Sequence, residues 1–368
     1  MNDKVKNIVV SIVFVFSLVF FLVLSLLIQD EELSYSERRK LAQFPQITFK
    51  DIKDATFMNK LDTYVVDQFP FREEFRSIKA NVHFNIFRQK DNNDIYIIGD
   101  NIFKIEYPYN QNSFDRAGKK FNDIYNLYFK DKDMNVYYSV IPDKNYFVAK
   151  QNGYPSIDYE DAIQTLNNRT ENMEYIDILD CLELQDYYRT DTHWSQERIE
   201  KVVSKIATQM NFADRLSNNY EIKEIPEFYG VYYGQSALDI KPESIKYLTN
   251  DIIENAVVFD YEDNITSKVY NFEKLNGMDK YDMFLSGARS LQKIDNPNAT
   301  TDKELIVFRD SFGSSIVPLF IEGYKSITLI DLRYIPTNML SQFIEFNNQD
   351  ILFIYSTLII NNSFSLKG

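Results

Sequence analysis

An α/β fold with a largely parallel, helix-covered sheet is what this sequence predicts, and three observations carry the prediction. Short β-branched or aromatic runs recur between turn residues, helical stretches separate them, and one run passes through an Asp-Ser-Phe-Gly turn straight into a helix. The runs lie at 94–99 (DIYIIG), 134–142 (MNVYYSVIP), 174–179 (EYIDIL), 304–308 (ELIVF), 326–330 (SITLI) and 351–356 (ILFIYS). Runs so short and apolar fit strands covered on both faces. Helical candidates fall between them at 114–130, 158–170, 195–210, 314–322 and 336–346. Residues 211–300, less regular and richer in Asn and Asp, predict a loop-rich insertion.

The N-terminus predicts one transmembrane helix ahead of this fold. Lys4 and Lys6 precede an apolar run from Ile8 to Ile28 that holds neither charge nor Pro, and Asp30, Glu31 and Glu32 follow it. At ~1.5 Å per residue such a run reaches across a bilayer core of about 30 Å. Basic residues before it and acidic ones after it orient the N-terminus inside, so the chain from about residue 30 lies outside the cytoplasm. No small-x-small cleavage site occurs around 25–29, which favours an uncleaved anchor over a signal peptide. The expected organisation is a cytoplasmic tip and anchor at 1–29, a stalk at 30–50 interrupted by Pro45, and a large domain over 51–368. That domain opens on Phe57, Leu61, Tyr64, Val65, Phe75, Ile78, Val82 and Phe84 at helical spacing, read as two helices with a corner at Pro70.

Composition narrows the chemistry. A formal net charge of -14 argues against nucleic acid as a partner, because phosphate binding needs a basic patch. With two His and one Cys there is no H-E-x-x-H and no Cys/His cluster, leaving only an all-carboxylate metal site, and no Gly-rich phosphate loop occurs among 10 glycines. No cofactor is expected. Cys181 stands alone, so no intramolecular disulfide forms, and its apolar setting fits a packed thiol. The 26 Tyr and 29 Phe fit a general Asn/Ile/Lys/Tyr bias as well as they fit sugar-stacking platforms.

Ligand sites in open α/β sheets lie in the loops after strands. One such loop, RTDTHW, sets Asp191 and His193 two residues apart on one side of an extended chain, so the carboxylate can accept from Nδ1 and leave Nε2 free as a base. The other, ELIVFRDSFGSS, has the strand-turn-helix layout of a nucleophile elbow. There Ser311 stands at the strand tip, N–H groups near Phe312 can hold an oxyanion, and Gly313 permits close approach. His83 lacks a nearby acid and fits a packing role, so a serine nucleophile would take His193 as its base. Residues alone leave open a Ser311-His193-Asp191 triad, a helix-capping Asp with a packed His, and a carbohydrate-binding loop with Trp194 as the stacking plate.

The pairing of DTHW with RDSFG resembles the DHHW family and the related alginate O-acetylation proteins (AlgJ/AlgX-like) of the SGNH-hydrolase superfamily. FPFREEFRSIKA, VIPDKNYF, YDMFLSG and DLRY extend the resemblance over roughly residues 30–357. It implies an SGNH-like α/β/α catalytic domain within 51–368, with Ser311 as nucleophile, His193 as base and Asp191 as the acid that orients it. It further implies acetyl transfer to hydroxyls of a polysaccharide, with a membrane-bound O-acyltransferase as the acetyl supplier. Thr192 stands where the family name has its first His, and Arg309 where many superfamily members have Gly. Gly287 is the candidate oxyanion glycine, and Arg333 a candidate substrate contact. An SGNH-type carbohydrate esterase and a non-catalytic partner of the acyltransferase are the alternative expectations.

Overall fold

The computed structural model describes residues 3–367. The chain divides into two compact units, one formed by the segment up to Asn93 with Tyr233–Ile240, the other by Asp94–Tyr232 with the segment from Lys241 onward. The division therefore falls some way beyond the domain start expected at residue 51.

In the first unit, α1 (Asp3–Leu27) is the one helix among the described residues long and apolar enough to cross a membrane, and none of its apolar window is buried. α2 (Thr56–Asp67) and α3 (Arg72–Asn81) follow, with Pro70 in the corner between them. The segment read as a stalk is folded. Leu33–Ser34 pairs with Arg39–Lys40, and the Arg39 guanidinium grips Asp67 at 2.8 and 2.6 Å. The Ala42 N–H donates to the same carboxylate at 2.8 Å, so residues 30–44 are tied to the end of α2.

The second unit is built on an eight-stranded sheet. In chain order its strands are β1 (Val136–Ile141), β2 (Glu174–Tyr175), β3 (Val257–Asp260), β4 (Ile265–Ser267), β5 (Leu291–Asp295), β6 (Glu304–Arg309), β7 (Ser326–Ile330) and β8 (Asp350–Ser356). They lie side by side as β4-β3-β5-β7-β6-β8-β1-β2. The run from β7 to β2 is parallel, and β3, β4 and β5 add an antiparallel edge.

Side chains along the central strands alternate between two cores. On β6, Leu305 and Val307 join the cluster of Trp194, Val202, Ile206 and Phe312, whereas Ile306 and Phe308 join that of Phe114, Phe121 and Leu166. α6 (Glu200–Gln209) thus covers one face, while α4 (Gln111–Tyr128) and α5 (Tyr159–Asn167) cover the other. The result is the expected three-layer α/β/α sandwich.

Details differ from expectation. The run at 94–99 forms an isolated hairpin, Ile95–Ile98 with Asn101–Lys104, turned by Gly99 at φ +59. EYIDIL yields only the two-residue β2, and the helices expected at 314–322 and 336–346 are short turns of α and 3-10 helix. Residues 211–300, expected to be loop-rich, also supply β3, β4 and β5 and a separate antiparallel pair, Glu221–Phe228 with Glu243–Thr249. These strands lie at or near an edge and mix buried with exposed side chains, so their apolar signal is diluted.

Candidate active site

β6 delivers Ser311 to the end of the sheet. Its tip is fixed by Asp310, whose Oδ1 accepts from the Phe312 N–H at 3.0 Å, while Oδ2 accepts from the Ser356 N–H and hydroxyl, each at 2.7 Å. Asp310 therefore staples the turn after β6 to the end of β8. The Ser311 side chain is half-buried and meets His193 Nε2 at 2.8 Å. On the other side of the ring, Nδ1 lies 2.6 Å from Asp191 Oδ1. A carboxylate only accepts, so Nδ1 carries the proton and Nε2 is left to accept from the serine hydroxyl. Asp191 also accepts from the His193 N–H at 3.0 Å and the Val231 N–H at 2.7 Å, which fixes both its oxygens.

A shell of buried groups holds this acid in place. Lys144 Nζ donates to the carbonyls of Ile102, Tyr188 and Arg189 at 2.7, 2.9 and 3.0 Å, and lies 3.3 Å from that of Asp191. Burial pulls its ammonium down to about 7, with Glu243 and Asp191 opposing the shift. The Glu243 carboxylate clamps the N–H groups of Arg189 and Thr190 at 2.8 and 2.7 Å. At Gly230 a Cβ would come within 2.2 Å of the Thr190 carbonyl oxygen, so only glycine lets the chain pass this close behind Asp191. Tyr281 stacks on the imidazole, ring centroids 3.9 Å apart and 8° from parallel, and its hydroxyl donates to Ser315 Oγ at 2.8 Å. Among the described residues, no group of three or more His, Cys, Asp or Glu side chains is placed to hold a metal.

A family model described as DHHW protein matches residues 94–330, more than half of the 368-residue chain. The chain belongs to the DHHW family. Among solved structures this DHHW protein is similar to a DHHW family protein from Eubacterium siraeum, with 18% identity, a TM-score of 0.60 and coverage of 76% of this chain and 97% of that one. It is also similar to PatB1 from Bacillus cereus, with 18% identity, a TM-score of 0.58 and coverage of 73% and 97%; PatB1 has also been solved with a sulfonyl adduct. The O-acetyltransferase domain of AlgJ from Pseudomonas putida matches with 10% identity and a TM-score of 0.45, over 73% of this chain and 92% of that one. At such identities the first two likenesses speak to the fold. No curated protein matches the sequence.

Asp191, His193 and Ser311 come together, and the remaining candidates take other roles. Trp194 is fully buried and donates Nε1–H to Ser315 Oγ at 2.9 Å, so it is a core residue and no stacking plate for sugar. The Phe312 N–H is engaged by Asp310, which removes it as an oxyanion donor. Its ring packs instead against His193, centroids 4.8 Å apart. The Gly313 N–H donates to the Asp310 carbonyl, and a Cβ at Gly313 would meet Arg309 Cβ at 2.5 Å; this glycine serves packing. The Gly287 N–H is likewise occupied, by the Phe284 carbonyl, while its own oxygen receives Arg309 Nη2 at 3.3 Å. Arg333 is locked onto the buried Asp331 at 2.9 and 2.6 Å and is no free surface guanidinium. Thr192, in place of the first His of the family name, has its hydroxyl buried beside that of Tyr232.

Lys144, Gly230, Glu243 and Tyr281 carry no individual signal in the sequence, whereas Asp310 belongs to the Asp-Ser-Phe-Gly turn itself. Lys144 lies in VIPDKNYF and Tyr281 in YDMFLSG, blocks that carried the family resemblance, and that was the available signal. Gly230 and Glu243 sit in the loop-rich segment 211–300, whose sequence carries no motif around them.

Proposed function

We propose that this protein is an extracytoplasmic O-acetyltransferase that carries acetyl on Ser311 and passes it to hydroxyls of a cell-surface or secreted polysaccharide. The observation that carries this reading is the hydrogen-bonded chain from Asp191 through His193 to Ser311. In the first half-reaction Ser311 Oγ attacks the carbonyl carbon of an acetyl ester or thioester, and its proton passes to His193 Nε2. The tetrahedral oxyanion collapses, the donor's alcohol or thiol leaves with that proton, and an acetyl-serine remains. A sugar hydroxyl then loses its proton to Nε2 as it attacks, and the proton returns to Ser311 Oγ when the acetylated sugar departs. The Ser311 N–H, for which no intramolecular acceptor is found among the described residues, is the oxyanion donor in this scheme.

Buried Asp191 supports the step by holding the Nδ1 proton and stabilising the imidazolium. α1 serves as an uncleaved anchor with its N-terminus inside, which would place the α/β unit where a membrane-bound O-acyltransferase delivers acetyl groups. Within the proposed region 51–368 the reacting residues all belong to the α/β unit, and no cofactor takes part in the reaction.

The test uses full-length protein with an activated acetyl ester, followed by acid quench and peptide mass spectrometry. Acetyl on the Ser311 peptide, absent in His193→Ala, together with transfer to added oligosaccharide that falls by about 10³-fold or more in Ser311→Ala, is the expected result. Transfer by Ser311→Ala as fast as by wild type would end this reading. Acetylation of Ser311 followed only by hydrolysis, whatever sugar is added, would make the protein an esterase.

A further inference from the structure

The first unit carries an apolar surface that the described residues leave open. Val66 on α2 is 63% exposed and Ile78 on α3 is 58% exposed. Phe75 and Ile78, three residues apart, share one side of α3, and Phe71, the left-handed residue just ahead of the helix, is exposed as well. Val66, Phe69 and Phe75 line a shallow hollow rimmed by Arg72, Arg76 and Lys79. An apolar side of this kind on a soluble helix faces a core, and this one faces outward.

Contacts with α1 fix the depth of that surface. The Phe21 ring packs against Phe69 and Phe75, centroids 5.2 and 5.8 Å away. Phe21 precedes the end of α1 at Leu27 by about 9 Å of helix at ~1.5 Å per residue. If α1 spans the hydrocarbon core, Phe69 and Phe75 lie about 9 Å below its outer end, on the acyl-chain side of the headgroup boundary. Helices lying in that zone bury an apolar face by about 5–10 Å, which is the depth obtained here. Their cationic rim fits as well, since Arg and Lys stems lie along apolar surface while the charged ends reach the headgroups. Arg72 and Arg76 are ion-paired with Glu37 and Glu73, so it is their stems that lie along the apolar surface.

We infer that α2 and α3 lie in the non-cytoplasmic membrane interface beside α1, with Val66, Phe75 and Ile78 against lipid. This rests on α1 being an uncleaved span. The unit is then a platform partly sunk in the bilayer, and the occupant of its open face is lipid rather than a second protein.

Full-length protein in the Cys181→Ser background is reconstituted into vesicles of phosphatidylcholine with phosphatidylglycerol. A fluorophore is placed on Val66→Cys, Ile78→Cys, Val23→Cys near the outer end of α1, or Asp302→Cys, a fully exposed side chain that gives the water reference. The quencher is a lipid whose nitroxide sits at the headgroup end of its acyl chain. Quenching at positions 66 and 78 is expected to exceed that at 302 by at least about threefold and to approach that at 23. Quenching at 23 with positions 66 and 78 at the water level would overturn the interfacial placement and leave the anchor standing. A water-level signal at 23 would remove the anchor and the placement together. Ready access of a water-soluble quencher to 66 and 78 in these vesicles would mean that the face belongs to another protein.

Discussion

Asp191 has each carboxylate oxygen committed, one to the His193 ring and N–H, the other to the Val231 N–H. Asp191→Asn keeps the shape and presents an amide that can donate to Nδ1, which moves the imidazole proton to Nε2 and blocks acceptance from Ser311. The expected outcome is a fall in kcat of about 10³–10⁴-fold on a soluble acetyl ester with little change in Tm; a fall below about tenfold would deny Asp191 its orienting role. Gly230→Ala tests the same acid from behind. Its Cβ would meet the Thr190 carbonyl oxygen at 2.2 Å, so the 190–191 segment must shift. Loss of about 1–3 kcal/mol in urea unfolding together with at least about tenfold in kcat is expected. The triad was legible because a chain with two histidines offers few bases and because Asp-x-His sets the pair on one side. Its supports were not: Lys144, Glu243 and Gly230 act through backbone carbonyls and N–H groups, and such contacts leave no spacing pattern. Trp194 shows the opposite error, since a lone aromatic beside a site reads the same whether it faces sugar or core.

At the scale of elements, the order of strands and helices explains what could be read. β1, β6, β7 and β8 are buried on both faces and appear as nearly continuous apolar runs, broken inside only by Ser139 and Thr328. β3 and β5 pair antiparallel toward an edge; β3 is only four residues long and polar residues interrupt β5, so the region reads as loop-rich. The elbow follows β6, and Asp310 fastens its turn to the end of β8. Asp310→Ala would strand the Phe312 and Ser356 N–H groups inside the protein. The expected cost is about 2–4 kcal/mol in urea unfolding, with slower modification of Ser311 by a sulfonyl fluoride as the turn loosens. A cost under about 0.5 kcal/mol would show that β6 and β8 hold the turn without it.

For the whole molecule, pH acts on stability through groups whose proton affinity changes on folding. Glu106, half-buried, is the clearest acid of this kind. Burial pushes its carboxyl up to about 7; Lys104 opposes the shift, and Asp143 and Asp94 add to it. In the unfolded chain a glutamate releases its proton near pH ~4.3. Between about pH 4.3 and 7 the folded protein therefore holds the proton that the unfolded chain has lost, and stability falls as pH rises through that window. Above pH ~7 the penalty is complete, because a partly desolvated carboxylate is carried in the native state. Glu106→Gln keeps the neutral shape at every pH. Its advantage over wild type is expected to be on the order of 1–3 kcal/mol at pH 8 and to vanish near pH 4, measured by urea unfolding at both values. An equal difference at the two pH values would mean that Glu106 carries its ordinary carboxylate inside the fold.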